Sequence, residues 1–141
     1  MEYQEKIAWL RRYRDSLRRE TVLRNELEQM QERSTNISPC MTGMPHGSDG
    51  SDSLACAVEG IDEARETLAC QITQCEEIRQ EVETVINQVA DAKSREVITY
   101  RHVLGYKWPE VAAEMHYSLE HVQRIHHTAI MSLNIISYHT E

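Results

Sequence analysis

The sequence predicts an all-α fold: a long N-terminal helical hairpin of coiled-coil character, then a three-helix unit with a helix-turn-helix pattern. Three observations carry that expectation. The 141 residues include only five glycines and three prolines, while 27% are charged and 6% aromatic, which suits solvated helices better than a sandwich or barrel. Apolar residues recur at heptad spacing over residues 54–89. Between residues 91 and 141, Gly, Pro and Ser stand where three short helices would stop and start.

The first helix is expected over residues 2–33. Tyr3, Ile7, Leu10, Tyr13, Leu17, Leu23, Leu27 and Met30 follow steps of three or four, apart from a gap where Glu20 falls on the stripe. Residues 34–52 read as a linker, because Pro39, Gly43, Pro45, Gly47 and Gly50 lie among Ser, Thr, Asn and Asp. Ser53 is a suitable N-cap for a second long helix. Its stripe is Leu54, Ile61, Leu68, Cys75, Val82 and Val89, with Val58, Ile72 and Ile86 on a companion position interrupted by Arg65 and Arg79. Setting Arg33 opposite Ser53 in an antiparallel hairpin places Arg65 near Glu20 and Arg79 near Glu5. It also sets Arg11, Arg12, Arg14, Arg18 and Arg19 against Asp62, Glu63, Glu66, Glu76 and Glu77. The arginine run is thus read as a paired, solvated face rather than a phosphate-binding patch. The expected domains are residues 1–90, hairpin and linker, self-associating through the heptad stripe as a homodimer, and residues 91–141.

Net charge is −8, which argues against indiscriminate binding to nucleic acid. The acidity is concentrated centrally: residues 34–90 hold two basic against ten acidic residues, whereas 91–141 hold five against six. Six of the seven histidines fall in that last segment. With a reference pKa of about 6.5, their protonation would turn it positive as pH falls. No run approaches the roughly 18 apolar residues of a membrane span, and no apolar leader opens the chain, so no membrane association and a cytoplasmic location are expected. Cys40, Cys56, Cys70 and Cys75 form no C-x-x-C pair and have no histidine at zinc spacing. There is no phosphate loop, supported catalytic triad or metal-binding repeat, so neither an enzyme nor a cofactor is expected.

In residues 91–141 the first helix carries Val97, Ile98, Tyr100, Arg101 and Leu104 and stops at Gly105. The second starts near Trp108, with Pro109 early in the first turn, where a missing N–H costs nothing. The third follows Ser118, an N-cap, and carries Val122, Ile125, Ala129, Ile130 and Leu133. Ala112 is the small residue needed where the third helix crosses the second, and Val111, Met115, Tyr117, Val122 and Ile125 bracket it as a shared core. The turn has His116 where glycine is usual; histidine is among the residues that tolerate positive φ.

The run Trp108-Pro109-Glu110-Val111-Ala112, then Tyr117-Ser118-Leu119-Glu120-His121-Val122-Gln123-Arg124-Ile125, then Ala129 to Leu133, resembles region four of primary-type sigma factors over residues 94–135. The whole arrangement is similar to small phage regulators of the ArpU and RinA type. These resemblances imply a sequence-specific DNA-binding regulator of phage or prophage transcription, with double-stranded DNA as partner and RNA polymerase as a further one. They place base contacts on Leu119, Glu120, Gln123 and Arg124. Gln suits adenine, Arg guanine and Glu the cytosine amino group; Leu119 departs from the basic residue common there and would pack on a thymine methyl. Lys107, Ser118, His121 and His127 are the candidate phosphate contacts, with Arg101 and His102 as weaker ones. The alternative is a protein-interaction module that binds RNA polymerase or a sigma factor without reading DNA, which suits the near-neutral charge of residues 91–141.

Overall fold

The computed structural model describes residues 2–36 and 49–135. Five α-helices and one π-helical turn make up its regular structure: α1 (Tyr3–Asn36), α2 (Asp49–Asn87), α3 (Ala92–Ile98), the π turn Thr99–Val103, α4 (Trp108–Met115) and α5 (Leu119–Ser132). The chain is all-α, and among the described residues no helix is long and apolar enough to cross a membrane. α2 already runs at Asp49, so Ser53 is a helical residue and not its N-cap. The rest of the expected linker, with Cys40 and His46, lies outside the described residues, as does the side chain of Leu54.

The chain packs as two units, and the cut does not fall at residue 90. Residues 1–16 join residues 75–141 in one unit, and residues 17–74 form the other. Both long helices therefore run through the boundary between units.

In the first unit the core draws on every helix. α1 contributes Ile7, Trp9, Leu10 and Tyr13, α2 contributes Cys75, Ile78, Val82, Val85 and Ile86, and the remaining segments contribute Val97, Ile98, Val111, Val122, Ala129, Ile130 and Leu133. α1 is tied to this core by polar contacts as well. Lys6 Nζ donates to the Met131 carbonyl at 2.9 Å, placing a cation at the C-terminal end of α5 where unpaired carbonyls carry partial negative charge. Arg12 pairs with Glu81 at 3.2 Å. Tyr13 is buried beside Cys75, Glu76 and Arg79 of α2, and that burial pushes its phenol pKa up.

These contacts correct the expected register. Arg12 meets Glu81, one to two turns from the acidic residues proposed for it. Arg79 pairs with Glu83 and Arg65 with Asp62, each within α2, and Glu20 pairs with Arg24 within α1. The cause is the choice of stripe. The buried face of α2 is Leu68, Gln71, Cys75, Ile78, Val82 and Val85, a heptad series whose second position lies three residues after the first, joined at its C-terminal end by Ile86 of the companion series. The companion four residues after it leaves Val58 49% and Ile72 38% exposed. Arg65 and Arg79 occupy that second series, so they do not interrupt the packed seam. In the second unit Leu68 and Gln71 are buried, and Met30 of α1 approaches Gly60 of α2.

Asp91 caps α3 by accepting from the Ser94 amide at 3.3 Å and the Ser94 hydroxyl at 2.8 Å. The hydroxyl bond is the first cause of the lowered Asp91 pKa. Arg95 closes the α2–α3 corner on the carbonyls of Val89 and Ala90, at 2.6 and 3.2 Å. The helix then widens: Leu104 N–H reaches back to the Thr99 carbonyl at 2.9 Å, the five-residue step of a π turn. That step brings His102, a weaker candidate for a phosphate contact, to 6% exposure and leaves Leu104 at 49%.

Gly105 ends this segment at φ 73°, and a Cβ there would fall on the Arg14 guanidinium of α1. Gly105→Ala is accordingly expected to destabilise the first unit by about 1–2 kcal/mol from the left-handed backbone alone. A urea titration checks this, and an unchanged midpoint would refute it.

Candidate nucleic-acid interface

α4, its turn and α5 position the candidate residues. Val97, Val111 and Val122 are fully buried together, with Ala112, Met115, Tyr117 and Ile125 packed against them. Val111, Met115, Tyr117, Val122 and Ile125 are the side chains expected to bracket Ala112, and Val97 of α3 joins them. α4 ends on His116 in the left-handed region, φ 57° and ψ 37°. The Tyr117 amide donates to the Ala112 carbonyl at 3.1 Å and the His116 amide to the Ala113 carbonyl at 3.3 Å. This double closure with an apolar contact across it is the Schellman arrangement, built with histidine in the place usually taken by glycine.

Ser118 then caps α5, its hydroxyl accepting from the His121 amide at 3.2 Å. Val122, His126, Ala129 and Ile130 form the buried side of α5. The opposite side is open: Glu120, Gln123, Arg124, His127 and Thr128 line one groove, and Leu119 stands exposed at the first turn. Among the described residues Glu120, Gln123 and Arg124 have no hydrogen-bond or ion-pair partner. Helical geometry thus gathers four of the expected contacts, Glu120, Gln123, Arg124 and His127, on one face.

No family model, characterised protein or solved structure matches the chain.

The other expected residues divide. Lys107 is exposed at the N-cap of α4, its amide donating to Glu110 at 3.4 Å. His121 is exposed and meets the Tyr117 ring edge-on at 4.8 Å. His127 is exposed, but its ring lies 4.7 Å from that of Tyr3, so α1 restricts it. Arg101 is drawn inward: it lies over the Trp108 ring at 4.7 Å and donates to the Tyr106 carbonyl at 3.0 Å. His102 is no surface contact at all. Its Nε2 lies 2.9 Å from Nε2 of His126, and Trp108 meets His126 edge-on at 4.7 Å. Burial lowers both pKa values, to about 3 for His102 and about 4 for His126, so both rings are neutral at pH 7 and one must donate to the other. Two histidines of the six therefore add no surface charge between pH 8 and 6; His116, His121 and His127 are exposed, and His139 lies outside the described residues.

The inward turn of His126 was readable, because it stands four residues after Val122 on the same stripe. That of His102 depends on the π turn. Lys93 is exposed on α3, far in sequence from α5, yet its ammonium lies 5.5 Å from the Tyr117 ring centroid. Among the described residues no group of three or more His, Cys, Asp or Glu could hold a metal ion.

Proposed function

We propose that residues 91–135 act as a helix-turn-helix unit that reads duplex DNA with α5, in a regulator of transcription. The observation that carries the reading is the unpartnered face of α5. Glu120, Gln123 and Arg124 are hydrogen-bonding groups held outward by a helix whose other side is locked on the Val97–Val111–Val122 core. Base edges in a major groove offer such a row complementary acceptors and donors. The likeness to small phage regulators supplies the setting, control of phage or prophage genes. Self-association as a homodimer belongs to the same proposal, with Val58 and Ile72 on α2 as the apolar residues left uncovered.

The test is a selection of bound duplexes from a random pool. Wild type is expected to enrich a motif. Arg124→Ala should relax one position of it and cost about 1–3 kcal/mol, and Gln123→Ala should do the same at a neighbouring position. Lys107→Ala should weaken all sequences about equally, because a phosphate contact carries no sequence information. A second reading is favoured by one feature. Leu104, 49% exposed, lines a groove with Ile86, Asn87, Ala92, Arg95, Glu96, Thr99 and Tyr100, a mixed apolar and charged surface suited to a protein such as RNA polymerase or a sigma factor. If wild type enriches no motif, that reading takes precedence.

A further inference from the structure

One face of α2 in the second unit stands uncovered. Leu68 and Gln71 are buried, whereas Val58 and Ile72 are exposed large apolar side chains. These two lie on one side of the helix, because fourteen residues make about four turns. Each has an exposed alanine three residues before it, Ala55 and Ala69. Midway between, the same two positions hold Asp62 and Arg65, both exposed and 3.9 Å apart. The face therefore alternates in layers: alanine with valine, aspartate with arginine, alanine with isoleucine. The charged middle layer indicates what can cover it. A second copy running parallel sets Asp62 on Asp62 and Arg65 on Arg65, like charge on like. A copy running antiparallel, with the twofold axis between residues 63 and 64, sets Asp62 against Arg65 of the second copy, and the reverse. The same register puts Val58 opposite Ala69 and Ile72 opposite Ala55, so a large residue meets a small one in both apolar layers and the helices can interdigitate. Sliding one helix by a heptad sets Asp62 on Ile72 and Arg65 on Ala69. The alternation thus selects one orientation and one register.

We propose that this face of α2 is a homodimer interface, on which α2 of a second copy packs antiparallel about a twofold axis between Glu63 and Ala64. The proposal gives geometry to the self-association included in the reading above, and rests on that part of it alone, not on DNA binding. Its apolar layers supply the attraction, and the Asp62–Arg65 layer supplies orientation more than affinity. Glu59 and Glu66 stand about a quarter turn to one side of the face, both at its rim, where water and salt screen their like charge.

Sedimentation equilibrium of the full chain, without DNA, tests it. Wild type should dimerise reversibly. Asp62→Arg gathers like cations at the axis and Arg65→Asp gathers like anions, so each should raise the dissociation constant about tenfold or more. An equimolar mixture of the two variants should return to the wild-type constant, because each chain's pair of like charges then faces a pair of opposite sign. Repulsion between positions 62 and 65 within each chain persists in the mixture, so the recovery isolates the contact between chains. Circular dichroism establishes that each variant is folded. Orientation is read by disulfide trapping in a background with Cys40, Cys56, Cys70 and Cys75 replaced by Ala. Copies carrying Val58→Cys mixed with copies carrying Ala69→Cys should give the mixed cross-link ahead of either symmetric one. Predominant symmetric cross-links mean parallel helices and overturn the proposal. A dimer indifferent to both charge exchanges, or a mixture that does not recover, overturns this interface and leaves self-association to another surface. A wild-type chain that stays monomeric at high micromolar concentration ends both, and leaves the face to a different protein. None of these outcomes alters which motif α5 selects, so the DNA reading stands or falls separately.

Discussion

The first unit should lose most of its stability between about pH 6.5 and pH 4, through His102 and His126. In the unfolded chain both imidazoles take up protons near their reference pKa of about 6.5. In the folded chain burial lowers the values to about 3 and about 4. The folded pKa is depressed, so neutral pH imposes no penalty. As pH falls below 6.5, the unfolded state binds protons that the folded state refuses. Each histidine then removes up to about 1.4 kcal/mol per pH unit, and the pair up to about 2.7. Below about 4 His126 begins to protonate in place, and only His102 continues to contribute. A domain of ordinary stability, about 5–15 kcal/mol, is brought close to its midpoint by such a loss. Arg101 and Arg11 add repulsion to a protonated pair. No described carboxylate is paired with either ring to offset the charge.

Urea titrations at pH 7 and 4.5 measure this, with fluorescence reporting on the unit, because the two tryptophans, Trp9 and Trp108, both belong to it. Replacing both histidines by Phe removes the two interacting polar groups together. Such a change can be nearly neutral at pH 7, and it should flatten the profile. Stability that is equal at the two pH values in wild type would show that the pair is hydrated or paired with an acid. A profile equally steep in the double variant would assign the loss to other groups; Asp91 is not one of them, because its lowered pKa acts only below the usual carboxylate range.

Leu10→Ala should destabilise the same unit by about 2–5 kcal/mol, the usual cost of removing a fully buried leucine side chain and leaving a cavity. Leu10 is completely buried, and α1 is bound to the C-terminal segment at Lys6–Met131 and Tyr3–His127. The effect should therefore be visible at Trp108, about a hundred residues away in sequence. A loss well under 1 kcal/mol, or a Trp108 signal that ignores the substitution, would mean that residues 91–135 fold independently of α1. Leu23→Ala offers a contrast, because Leu23 is only half-buried and lies in the other unit.

Much of the local structure could be read from the chain itself, because its causes are local. Pro109 early in α4, Ser118 before α5 and Gly105 at φ 73° each act within a turn of their own position. The three-valine core follows from helical periodicity over 30 residues, and so does the outward row Glu120, Gln123 and Arg124. Even His116 at φ 57° agrees with the tolerance of histidine for that conformation.

Tertiary packing decided the rest. Two heptad series compete on α2, and hydrophobicity alone does not rank Val58 and Ile72 below Ile78 and Val85. The seam that α1 covers ranks them, and with it the ion pairs shift by one to two turns. The first unit takes in residues 1–16 together with residues 75–141, and Ala129, Ile130 and Leu133 of its C-terminal end are buried. The π turn inserts one residue into the helical phase, and that single step exchanges the places of His102 and Leu104. A burial pattern read at 100° per residue has no means of foreseeing such a step, which sets His102 against His126 on another helix.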